Sequence, residues 1–281
     1  PPSIRNEIDM TLPFTRAYPP SQPAPGRAYW LPLRADRVLV QSIDAAYTLI
    51  EGDDEIRALL QPTTVLYLGL LNGQPCLACE VGADVVLPSG WEEVTLRGLF
   101  GRIDELFQGL IGYATEIIAW QQSRRYCPRS GDLTRPMPGT WGRVCPQCGY
   151  SSYPPVTPAI LVLIHDGERM LLTHKPGWGK RFSCIAGFVE PGESLEGCVE
   201  REIYEEVGLE VTDIEYIGSQ PWPFPHQLMV GYTARYLRGE IRVDQLELDD
   251  ARWFTVDALP QLPPPQSLAR RIITTWIERH Q

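Results

Sequence analysis

At 281 residues, with 43% apolar residues and a formal charge of −10, the chain is long enough for two cores and lacks the bias of a disordered segment. Its negative balance argues against a general nucleic-acid binder or an anionic-membrane binder, so an anionic ligand must be met locally or through metal. Seven scattered cysteines make no secreted disulfide framework, no apolar run reaches a membrane span, and the first residues show no signal-peptide pattern, so a soluble cytoplasmic protein is expected.

In chain order, the proline-rich stretch to about Pro25 reads as an irregular arm. Residues 37–41 and 63–81 read as strands, the latter a pair joined at Asn72-Gly73, a dipeptide that accepts the positive φ angles of a tight hairpin. Leu99, Ile103, Leu106, Leu110 and Ile117 fall at helical spacing and predict one long helix over 96–122 that covers this sheet. Residues 1–122 are thus expected to form a small α+β domain. The cysteine-, glycine- and proline-rich insert 123–154 is too short for a core of its own. A second domain over 155–281 restarts with two strands around Asp166-Gly167 and closes, after the proline loop 261–266, on a helix over 267–280.

Residues 187–211 carry carboxylates at 190, 193, 196, 200, 202, 205, 206 and 210, a density that needs a reason. Ser194 can cap a helix and Gly208 can end it, which predicts helix from Leu195 to Val207. At about 100° per residue, Glu202 and Glu206 share the stripe of Leu195 and Val199, with Glu205 to its side. Glu196, Glu200 and Glu210 read as a solvated face. Like charges four residues apart on a partly buried face repel and lose hydration, and a cation between them removes both costs. Oxygen ligands of this kind suit Mg²⁺ or Mn²⁺. Gly187, Pro191 and Gly192 make a tight loop into the helix, and Glu193 is within reach of Arg201.

Gly187, Glu193, Arg201, Glu202, Ile203, Glu205, Glu206, Gly208 and Leu209 reproduce the Nudix box at nine specified positions in twenty-three. The resemblance to Nudix hydrolases implies an α/β fold, an α/β/α sandwich around a mixed sheet, that cleaves a diphosphate attached to a nucleoside. It implies divalent metals held by Glu202, Glu205 and Glu206, with the carbonyl of Ala186 as a further ligand.

Residues 219–229, SQPWPFPHQLM, read on their own as a proline-locked loop whose Trp222 and Phe224 can stack on a flat ring. Ser219–Pro225 also resembles the signature of the NADH pyrophosphatases within the superfamily, with Gln227 where that family has serine. That resemblance implies substrate contacts from Gln220, Pro221, Trp222, Pro223, Phe224, Pro225, His226 and Gln227. By position it adds Tyr153, Phe188 and the backbone of Ala269, and Glu247 as another metal ligand, with Asp249 and Asp250 as alternatives. It implies hydrolysis of NAD(H) to NMN(H) and AMP, with Glu205 or a neighbour taking the water proton. Because the same bond joins an NAD cap to RNA, it extends to NAD-capped RNA, and it implies a homodimer. The competing readings are a Nudix diphosphatase for ADP-ribose, nucleotide sugars or dinucleoside polyphosphates, and a non-catalytic Nudix sensor. The intact proline stretch counts against the first and the intact box against the second.

The same family places a four-thiolate zinc ribbon in the insert. Here Cys145 and Cys148 supply one knuckle, but the other reads Cys127-Pro-Arg-Ser130, leaving zinc with a different fourth ligand or no zinc at all. Cys76 and Cys79, three apart on a strand, face opposite sides and read as core thiols; Cys184 and Cys198 read as packing residues.

Overall fold

The computed structural model describes residues 14–280, and side chains to residue 279. It divides into two compact units, Pro1–Pro155 and Val156–Gln281. The first is built on β1 (Phe14–Arg16), β2 (Ala28–Arg34), β3 (Arg37–Ile43), β4 (Ala46–Thr48), β5 (Ile50–Gly52), β6 (Thr64–Leu71), β7 (Gln74–Glu80) and β8 (Trp91–Thr95). These make one eight-stranded sheet in the order β1-β6-β7-β2-β3-β4, with β5 on β2 and β8 on β3. Only β2 and β7 run parallel. Helix α1 (Asp54–Leu60) contributes Leu60 and Ile56 to a cluster with Trp30, Leu39, Ile50, Leu77 and Cys79, while α2 (Glu105–Ser123) packs on β2 and β7. Cys76 and Cys79 are both buried free thiols, pushed up to about 12 by burial.

Two expectations for this unit are revised. The arm is not wholly irregular, because β1 pairs with β6; residues 1–13 lie outside the described residues. The long helix is broken into a 3-10 turn, Leu96–Leu99, and α2. Gly101 takes a positive φ of 73°, and the Asp104 carboxylate accepts from the Leu106 amide at 2.8 Å, restarting the helix after the apolar pattern has begun. The insert forms a small antiparallel sheet, β11-β10-β9, from β9 (Arg135–Pro136), β10 (Arg143–Val144) and β11 (Ser151–Ser152). It leans on α2: Trp120 Nε1 donates to the Trp141 carbonyl at 2.8 Å, and Trp141 Nε1 to the Tyr113 hydroxyl at 2.6 Å.

The second unit carries β12 (Thr157–His165), β13 (Met170–His174), β14 (Ile185–Phe188), β15 (Glu210–Trp222), β16 (Gln227–Arg238) and β17 (Asp250–Phe254), with α3 (Leu195–Val207) and α4 (Leu268–His280). The sheet order is β15-β16-β12-β13-β17, with β14 on β12, and it is mixed because β12 and β16 are parallel. Along β12, Ile160, Val162 and Ile164 pack with Val199, Ile203 and Val207 of α3, whereas Leu161 and Leu163 pack with Ile272, Ile273 and Trp276 of α4. Both faces are covered, which is why β12 reads as a continuous apolar run. The expected α/β/α sandwich and both helices are borne out. The proline stretch differs from expectation: β15 runs on to Trp222, β16 starts at Gln227, and only 223–226 turn. Pro221 is tolerated because β15 is a sheet edge. Among the described residues, no helix is long and apolar enough to cross a membrane.

Candidate active site

Helix α3 starts where Ser194 Oγ accepts from the Gly197 amide at 3.0 Å and ends at Gly208, whose φ of 72° an L side chain rarely adopts. Its inward face seats Val199, Ile203 and Val207, and on that same face Glu202 is 9% and Glu206 2% exposed. Glu205 points outward, with just over half its side chain exposed. Gly187 leaves room for the Glu202 carboxylate, since a Cβ there would lie 1.8 Å from its Cδ. Ala186, its neighbour on β14, pairs with Leu161.

Arg201 organises the loop and the outer carboxylates. Its Nε and Nη2 grip Glu193 at 2.7 and 2.9 Å, its Nη1 reaches Glu202 at 2.8 Å and Glu205 at 2.9 Å, and Nη2 also donates to the Phe188 carbonyl at 2.9 Å. Glu193 accepts from the Glu190 amide as well, and the guanidinium holds its carboxyl down at about 2.

Glu206 sits at the other end of this face. Its Oε1 accepts from Lys175 Nζ at 3.0 Å, and Lys175 lies 3.5 Å from Glu247 Oε2. Burial pushes Glu206 up to about 7 against the pull of Lys175, and burial raises Glu202 as well. The second oxygen, Glu206 Oε2, is buried with no hydrogen-bond partner. Glu247 arrives through backbone bonds: the Asp244 amide donates to the Glu206 carbonyl at 2.9 Å, and the Asp244 carbonyl accepts from Glu247 at 3.1 Å. Asp249 is engaged by His174 and Asp250 by Arg252, so of the three carboxylates weighed above, Glu247 shares a cation with Glu206. His174 also faces the Gly179 carbonyl at 2.8 Å, and the Asp249 carboxylate holds the imidazole above its usual range.

Sequence reasoning missed Lys175. A signal was present: Lys175 and Lys180 are the only two lysines in the chain, both in the segment before β14. Among the described residues the carboxylates do not converge on one point; Arg201 and Lys175 hold them in two groups. An all-oxygen set with an orphaned buried oxygen and two flanking cations fits a hard divalent ion such as Mg²⁺ or Mn²⁺.

Phe188 is 52% exposed and sits in register with Ala159 on β12, which pairs with Met229 on β16, opposite Gln220 on β15. The hairpin of Trp222 to Gln227 therefore projects from the same end of the sheet as Phe188. Trp222 and Phe224 meet edge to face at 5.1 Å, and Phe224 N donates to the Trp222 carbonyl at 2.7 Å. His226 ties this tip to β12 through the Thr157 hydroxyl at 3.1 Å and amide at 2.9 Å. Pro221, Pro223 and Pro225 shape the turn, and Gln227 pairs with Trp222.

One expected contact residue, Gln220, has its side chain engaged within the unit. The Gln220 amide accepts from Leu268 N at 2.8 Å and donates to the Gln266 carbonyl at 2.9 Å, fixing the start of α4. Ala269 is 5% exposed, its side chain in the α4 core. Tyr153 belongs to the first unit, its ring against Gly142. In the ribbon, Cys127, Cys145 and Cys148 have their sulfurs within 4.8 Å of one another.

Fold and site together define a Nudix hydrolase, and residues 155–277 match the NUDIX domain model. Residues 27–120 match the NADH pyrophosphatase-like rudimentary NUDIX domain, and 122–153 the NADH pyrophosphatase zinc ribbon domain. The NAD-capped RNA hydrolase NudC of Pseudomonas aeruginosa is 42% identical over 214 residues, 75% of this chain and 76% of that protein. The protein of the same name from Deinococcus radiodurans is 42% identical over 214 residues, 74% and 76% of the two. A NUDIX hydrolase structure from Nitrosomonas europaea covers 56% of this chain and 89% of its own at 24% identity, with a TM-score of 0.43. The chain belongs to the NADH pyrophosphatase family of Nudix hydrolases.

Proposed function

We propose that the chain hydrolyses the diphosphate of NAD(H) to NMN(H) and AMP with Mg²⁺ or Mn²⁺, and that the same cleavage removes NAD caps from RNA. The observation that carries this reading is the buried Glu202–Glu206 face, with its orphaned Glu206 Oε2 beside Lys175. Glu202, Glu205, Glu206 and Glu247, with the Ala186 carbonyl, would hold the metal. Bound there, divalent metal neutralises the diphosphate and acidifies a water.

The chain's own groups do the rest. Lys175 balances Glu206 and Glu247, Arg201 keeps Glu193, Glu202 and Glu205 oriented, and Glu205, exposed where Glu202 and Glu206 are buried, accepts the proton of the attacking water. Phe188 and the Trp222/Phe224 tip offer ring faces to a base or nicotinamide, while His226 and Gln227 offer polar groups beside them. Gln220 positions the start of α4, where the backbone of Ala269 is offered to substrate. The NudC relatives, named for NAD-capped RNA, support the second substrate. We place the protein in the cytoplasm, free of membrane, as a homodimer; light scattering at twice the chain mass checks the last point.

Rates on NADH, ADP-ribose and an NAD-capped oligonucleotide, for the native protein and Trp222→Ala, test the assignment. Native turnover of NADH and the capped RNA, with KM for both raised about tenfold or more in the variant, is expected from the loss of one stacking face. ADP-ribose as the better substrate, with Trp222→Ala indifferent, would overturn it.

A further inference from the structure

The two turns of the ribbon are copies of one another. The Gly131 amide donates to the Cys127 carbonyl at 2.9 Å, and the Gly149 amide to the Cys145 carbonyl at 3.0 Å. The Cys127 amide donates to Asp132 O, and the Cys145 amide to Tyr150 O, both at 2.8 Å. Each turn thus has a first cysteine and, three residues on, a second side chain that reaches the first cysteine of the other turn. In one that side chain is Cys148; in the other it is Ser130.

Two of the donor distances match the edges of a tetrahedral site. With metal–sulfur bonds of about 2.3 Å, the edges of a tetrahedral thiolate site are about 3.8 Å, and an edge ending on oxygen is shorter. Cys127 Sγ lies 3.6 Å from Cys148 Sγ, and Ser130 Oγ lies 3.4 Å from Cys145 Sγ. Among the described residues no histidine, aspartate or glutamate ligand atom joins the three sulfurs, although Asp132 is two positions from Ser130. The fourth corner is left to the serine hydroxyl.

We propose that the ribbon holds zinc through the thiolates of Cys127, Cys145 and Cys148 and the hydroxyl oxygen of Ser130. An alcohol is a neutral, harder donor than thiolate, so this corner binds the ion more weakly and opens first. The ribbon would then be an exchangeable zinc site rather than a permanently closed one.

The full chain, stripped of metal, is titrated with Co²⁺, and in parallel loaded with Zn²⁺ and challenged with a chromogenic chelator. Sulfur-to-cobalt charge transfer reports thiolate-bound metal only, so cobalt on the glutamates of the second unit does not contribute. The native chain is expected to bind one thiolate-held cobalt. Ser130→Cys should raise the charge-transfer intensity per metal by about a third, as three thiolates become four, and slow zinc release about tenfold or more. Ser130→Ala should keep the native intensity but release zinc several times faster. The proposal is overturned if the native chain shows no thiolate-bound cobalt, if Ser130→Ala releases zinc at the native rate, or if a folded Ser130→Cys shows no added intensity. The first two readings need no Ser130→Cys protein.

Discussion

Helices α2 and α3 lie on mixed sheets in their respective units, yet they bury different chemistry. The inward side of α2 is Leu110, Ile111, Ala114, Ile117, Ile118 and Trp120, and its one acidic intruder, Glu116, is only partly buried. The inward side of α3 places Glu202 and Glu206 beside Val199, Ile203 and Val207. A helix stabilised by burial alone has no use for two carboxylates there, whereas one built to receive a cation does. A sheet-and-helix architecture is therefore common to both units, and the site belongs to the unit whose helix carries charge inward.

The strongest way to break this contrast is Glu206→Gln, which keeps shape and removes charge. Turnover of NADH should fall at least about a thousandfold while the far-UV spectrum stays native. Near-native turnover would remove the glutamate face from the mechanism.

Gly187→Ala comes next. The new Cβ would meet the Glu202 side chain and displace its carboxylate, costing about a hundredfold or more in activity with little change in denaturant unfolding. An unchanged variant would mean that activity does not depend on where the Glu202 carboxylate sits.

A pH series sharpens the comparison. Glu206 rises from the ordinary carboxylate value to about 7 on folding, so metal-free protein binds its proton more tightly when folded. That contribution to stability is present below the unfolded value and is lost as pH rises through about 7. Metal reverses the preference by needing the carboxylate ionised: Mn²⁺ affinity, by calorimetry, should rise from pH 5 to 8, and the melting temperature with Mn²⁺ should rise relative to metal-free protein over the same range. A flat affinity profile would exclude Glu206 as a ligand.

The smallest effect is expected on α2. Burial alone pushes Glu116 up to about 7, so Glu116→Gln should raise the melting temperature slightly at pH 8 and leave turnover unchanged. A large loss of activity would give the first unit a catalytic part.

Much of the second unit was legible in the sequence because its signals are local. Ser194, Gly208 and the 3.6-residue stripe fix α3 to the residue, and the stripe also separates Glu202 and Glu206 from Glu196 and Glu200. The Glu193–Arg201 pair could be read from spacing because loop and helix are adjacent in the chain. The first unit was harder. Its strands β4, β5 and β8 are three to five residues long, and the 96–104 segment keeps an apolar rhythm while Gly101 and Asp104 break the helix. Lys175 and Glu247 lie 31 and 41 positions from Glu206, a separation no periodicity spans. The proline stretch misled in a different way: prolines that suggest a loop sit at the edge and tip of a hairpin, where a missing amide hydrogen costs no ladder bond.

The most direct test of the central claim is product analysis by chromatography after incubating the protein with NADH and Mn²⁺, with and without excess EDTA. The glutamate face described here predicts NMNH and AMP in equal amounts with Mn²⁺ and neither with EDTA. Equal cleavage under chelation, or intact NADH with metal present, would contradict it.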